Sequence, residues 1–137
     1  MNEHTIALVR ESFDLVEPIA PQAAEQYFAH LYAIDPPLQR VLGPDMPARA
    51  VRLMPLLATA IAHLDESDAL MPTLRQLGRH LAERGVQPAH YESFRAALLK
   101  TLYESLGVAY TEDVEAAWID VYGVVAQTMQ RAATAIA

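Results

Sequence analysis

The chain has 137 residues, a hydrophobic fraction of 53%, a formal charge of −7 at pH 7 and no cysteine. The length fits one domain able to bury about two-thirds of its unfolded surface. The absence of cysteine excludes disulfides, iron–sulfur clusters and thioether-attached cofactors. The acidic balance leaves no basic footprint for nucleic acid and disfavours an anionic membrane surface.

Ala and Leu, both strong helix formers, make up much of the hydrophobic fraction, and no alternating β-branched run occurs. The polar start Met1-Asn2-Glu3-His4 carries no apolar signal core, and no run approaches the ~20 apolar residues of a membrane span, so a cytoplasmic protein is expected.

Ile6, Val9, Phe13 and Val16 recur at helical spacing and predict a first helix over about 3–17. Pro18 and Pro21 break it and start a second, whose inner face is Ala24, Tyr27, Phe28 and Leu31 and which Asp35-Pro36-Pro37 ends. A short helical turn covers Leu38 to Leu42, closed by Gly43-Pro44-Asp45. Pro47 suits the first turn of a longer helix to about Leu64, with Val51 or Leu53, Leu57, Ile61 and Leu64 inward. Pro55 inside it predicts a kink or a later start.

After the polar link 65–68, Leu70, Leu74, Leu77 and Leu81 form the stripe of a helix that stops near Gly85. Pro88 opens another with Tyr91, Phe94, Leu98 and Leu102, ended by Gly107. Thr111 caps the last, whose core side is Val114, Trp118, Val121, Tyr122, Val125 and Met129. Six or seven unequal helices with a proline-broken corner predict an all-α domain with steep helix crossings, not a symmetric four-helix bundle.

Particular segments carry a family resemblance. They are Phe13; Tyr27-Phe28-Ala29-His30-Leu31-Tyr32 before Asp35-Pro36; Leu77-Gly78-Arg79-His80 followed by Gly85-Val86-Gln87-Pro88-Ala89-His90-Tyr91; Ala97-Leu98-Leu99; and Ala117-Trp118-Ile119-Asp120-Val121-Tyr122-Gly123. In this order, over nearly the whole chain, they resemble the single-domain bacterial globins, the haem domain of flavohaemoglobins, and neuroglobin. The resemblance implies a globin fold over residues 1–137 holding a non-covalent haem b, whose iron takes a histidine on one side and a diatomic gas (O2, NO or CO) on the other.

Of the five histidines, only His80 lies on the helix that the resemblance assigns to the iron ligand. In bacterial members the ligand stands where this chain has Leu81. In vertebrate haemoglobins it stands at the spacing that His80 has to Val86 and Pro88. The stripe points Leu81 at the slot and sets His80 about 100° away, so His80 reaches iron only if the helix rotates or its end tightens by a residue. The other reading of His80 is a solvated residue among Arg79, Glu83 and Arg84.

The family's haem-stacking Phe corresponds to Leu42, its gas-side Tyr to Phe28 and its distal Gln or His to Arg49. Arg52 is the better partner for a haem propionate, and Leu53 lines the gas side. Leu77, Leu81, Val86 and Tyr91 line the proximal side. A partner Glu on the last helix has no equivalent in Arg131-Ala132-Ala133-Thr134, which argues against a peroxidase-like role. Any nitric-oxide dioxygenase activity would draw electrons from a separate reductase. The alternative is a haem-free globin fold with a repurposed apolar pocket, acting as an interaction or sensor module; Leu81 and Leu42 favour it. A monomer or homodimer is expected.

Overall fold

Asn2 begins the first helix by accepting the Thr5 N–H on its side-chain oxygen at 2.8 Å. The structure is a computed structural model that describes residues 2–134, with the side chains of all of these except Leu53, Leu56 and Ser67. Seven α-helices follow in order: α1 (Glu3–Val16), α2 (Ala20–Ile34), α3 (Leu38–Leu42), α4 (Met46–Ala62), α5 (Ser67–Glu83), α6 (His90–Leu106) and α7 (Glu112–Thr134). Single 3-10 turns join α1 to α2 (Glu17–Ile19) and follow α6 (Gly107–Ala109). No strand occurs among the described residues.

The stops are where backbone chemistry demands them. Gly85 has φ +104°, its N–H bonds to Ala82 O, and the Val86 N–H bonds back to Leu81 O at 3.0 Å. This is the paired closure that a left-handed residue permits, and it buries Val86 against the last turn of α5. Thr111 starts α7 by accepting the Val114 N–H at 3.2 Å. Pro55 does not delay or interrupt α4, which runs through it from Met46. The end of α4 is instead tied to α1: Arg10 reaches the carbonyls of Ile61 and Ala62 and pairs with Asp65 at 2.8 Å. That guanidinium holds the exposed Asp65 carboxyl below its usual range.

Helix α5 packs on α7, α2 on α6, and α1 on α7. Two buried clusters result. One gathers Ile6, Val9 and Phe13 of α1 with Leu102 of α6 and Val114, Trp118 and Val121 of α7. Inside it the Trp118 indole N–H donates to Ser12 Oγ at 2.8 Å, so its one polar atom is satisfied. The second cluster lies where α2, α3, α5, α6 and the later half of α7 converge, around Phe28, Leu31, Leu38, Leu42 and Met129.

Candidate functional site

Which face of α5 turns inward decides this site. Residues 74, 78 and 81 share one face of a helix, since their spacing of four and three closes a turn. Gly78 is buried, and a Cβ on it would stand 2.6 Å from Met129 Cα and closer still to the Met129 carbonyl. Helix α5 therefore lies backbone against backbone on α7, with Leu74 and Leu81 packed into the second cluster on either side.

This corrects the expected stripe. Leu77 is 44% exposed, because Gly78 takes the inward position one residue on. His80 is exposed as well. Both line an open groove of about 490 Å³ with Thr73, Gln76, Arg79 and Glu83. The end of α5 does not tighten to bring the imidazole round, since the closure at Gly85 leaves Leu81 as the last inward side chain.

The second cluster brings together five of the expected residues: Phe28, Leu42, Val86 and Tyr91, with Leu81 packed against them. Phe28 meets Tyr27 edge-to-face with ring centroids 5.1 Å apart. Leu42 is buried, and its carbonyl accepts from Arg84 Nη2 at 2.9 Å. That bond clamps the end of α5 to the end of α3 across 42 residues of chain, and nothing in the sequence pattern announced it. Arg49 and Arg52 are exposed on α4, and the side chain of Leu53 lies outside the described residues.

Two hydroxyls around the cluster are bound to backbone, while that of Tyr32 is buried without a partner. Tyr27 donates to Phe94 O at 3.3 Å and Tyr122 to Tyr91 O at 2.8 Å. Burial pushes the ionisation of both phenols above the ordinary tyrosine range. Tyr91 stacks edge-on against Phe94 at 5.3 Å. Arg131, in the segment that offers no equivalent of the family's Glu, is exposed on an outer groove of α7.

The other described histidines serve the surface. His30 pairs with Glu104, His63 with Glu66 at 3.0 Å, and His90 Nδ1 accepts the Gln87 N–H at 2.9 Å. No group of three His, Cys, Asp or Glu occurs among the described residues in an arrangement that would hold a metal ion. The residues supply apolar walls for a macrocycle and one imidazole on α5. As placed, they do not fit a histidine-ligated haem, because the imidazole is outside those walls and a leucine is inside them.

The family model described as Globin matches residues 20–129. The chain is 30% identical to Anaerobic nitrite reductase AHB2 of Arabidopsis thaliana over 131 residues, covering 85% of this chain and 83% of that one. It is 28% identical to neuroglobin of Tetraodon nigroviridis over 138 residues, covering 90% and 87%. Against the flavohemoprotein of Vibrio cholerae it is 24% identical over 130 residues, which is 93% of this chain but only 33% of that one.

Proposed function

Because the chain belongs to the globin family, we propose that it is a haem globin that binds a diatomic gas (O2, NO or CO) for storage, sensing or detoxification. The match to the family over most of the chain, with its helices in the family's order, carries the reading. The group is haem b held without a covalent link, since the chain offers no cysteine for thioethers. When bound, it supplies an iron on which a gas can coordinate.

His80 is the proposed ligand, and the geometry sets a condition on it. Helix α5 would have to turn by about one residue, roughly 100°, so that His80 replaced Leu81 as the inward side chain, and would have to lift from α7, because the same turn brings Leu77 to where Gly78 now admits no Cβ beside Met129. A prosthetic group shifts such an equilibrium only by its preference for the turned form, and an iron–imidazole bond is a contact present in that form alone. Leu42, Phe28, Leu53 and Val86 would then wall the group, and Arg49 or Arg52 would meet a propionate. Phe28 offers no hydroxyl to the gas. The protein is taken to work in the cytoplasm as one domain, monomer or homodimer, with any dioxygenase activity dependent on an external reductase.

A second reading is favoured by the inward packing of Leu81 on the cluster of Leu42 and Val86. It is a haem-free globin module that uses its apolar interior for a partner or another ligand. The absorption spectrum of protein supplemented with haem separates the two. A Soret band that disappears in His80→Ala supports the haem reading with His80 as ligand. A band unchanged in His80→Ala removes the ligand assignment, and no band at all leaves the second reading.

A further inference from the structure

We infer that the outer face of α7 is a contact surface for a second copy of this chain, paired antiparallel about a two-fold axis. Ala116, Asp120, Gly123, Gln127, Arg131 and Thr134 recur at spacings of three and four and are all exposed, so they form one stripe along the solvent side of the helix. Beside the stripe runs an open groove of about 820 Å³, walled on its far side by Pro88, Tyr91 and Arg95 around the start of α6. Gly123 lies in the middle of the stripe and lines the groove, and a Cβ built on it meets nothing within 4 Å. Unlike Gly78, it serves no contact inside the fold, although glycine weakens a helix interior relative to alanine. A bare backbone at mid-stripe lets another helix come close.

The stripe is complementary to itself when one copy is reversed. With the axis midway between Gly123 and Gln127, Gly123 faces the partner's Gln127, Ala116 faces the partner's Thr134, and Asp120 comes within reach of the partner's Arg131. Small side chains thus meet longer ones, and each carboxylate meets a guanidinium. Within one chain the two charges stand roughly 16 Å apart along the helix, too far to pair. Neither forms an ion pair among the described residues. A two-fold contact uses each such pair twice. The parallel arrangement would set Asp120 against the partner's Asp120 and Arg131 against the partner's Arg131, and like charges oppose it. A chain of net charge −7 repels its own copies, so association needs a face where opposite signs meet.

A contact one helix wide is at the small end of specific interfaces, so sedimentation equilibrium of the full chain is followed from micromolar to millimolar concentration. Expected is a reversible monomer–dimer equilibrium. Asp120→Arg and Arg131→Asp should each weaken the dimer at least tenfold, because each brings like charges together. Both substitutions in one chain restore the opposite pairs and should recover most of the lost affinity. Gly123→Gln places its side chain in open space on the monomer but inside the contact in the dimer. It should therefore keep or raise the melting temperature while weakening the dimer at least tenfold. A chain monomeric throughout, a dimer indifferent to Asp120→Arg or Gly123→Gln, or no recovery in the double variant overturns the surface. The haem reading fails on a different signal, the Soret band.

Discussion

Gly78 rests directly on the backbone of Met129, and this contact fixes which residues of α5 look inward. A Cβ there would come within 2.6 Å of Met129 Cα, a separation at which backbone, not a flexible side-chain tip, has to move. Gly78→Ala has two opposed effects. Helix propensity favours Ala by about 1 kcal/mol, while forcing an extra carbon into a closed contact costs about 1–3 kcal/mol. With backbone on the receiving side the clash stands at the upper end of that range, so a net loss of about 2 kcal/mol is expected in urea unfolding. A variant as stable as the parent would mean that α5 does not lie this close to α7.

Leu81 occupies the inward position that a family ligand would take, next to an imidazole that points away. In the double variant His80→Ala, Leu81→His, the ring enters the cluster of Phe28, Leu42 and Val86. Without haem the variant is less stable by about 1–3 kcal/mol, the usual cost of a buried polar group lacking a partner. With haem it develops a Soret band and recovers that stability through ligand linkage, where His80→Ala alone shows none. A double variant that takes up no haem would show the slot to be closed to the macrocycle for reasons beyond the ligand.

Tyr27 and Tyr122, together with Tyr110, are the buried phenols that contribute most to the alkaline limit of stability. Burial raises all three above the ordinary value of 10.0, so above pH ~10 the unfolded chain sheds phenolic protons that the folded chain keeps. The unfolded state then binds fewer protons, and stability falls as pH rises, by at most about 1.4 kcal/mol per pH unit for each tyrosine so held. Their contribution is fully present below pH ~10. Urea midpoints measured from about pH 8 to 11 should decline in the upper part of that range. The decline should be shallower in Tyr27→Phe; an equally steep one would place the alkaline limit elsewhere.

Much of the helix inventory was open to reading from local chemistry. Thr111 as a cap, Pro88 as an opener, and Gly85 and Gly107 as stops each act through their own backbone and neighbours, and each stands where expected. The apolar cluster of Phe28, Leu42, Val86 and Tyr91 was legible too, through the resemblance. The contact at Gly78 was not. Periodicity counts apolar side chains, and a glycine contact consists of the lack of one, so Leu77 was credited with the inward place. The Arg84–Leu42 clamp was equally hidden, since it joins residues 42 apart by a bond to a backbone carbonyl.

The order of the helices and where most of them stop follow from residue chemistry acting over a few neighbours, and the string of amino acids was enough for that, though it left their number at six or seven. The rotation of α5 about its own axis is another matter, because a step of one residue swings the inward direction by about 100°. Packing against Met129 selects the rotation. The leucine stripe already pointed Leu81 inward; only the assembled fold could say that Gly78, not Leu77, shares that face and that α5 does not turn to bring His80 round.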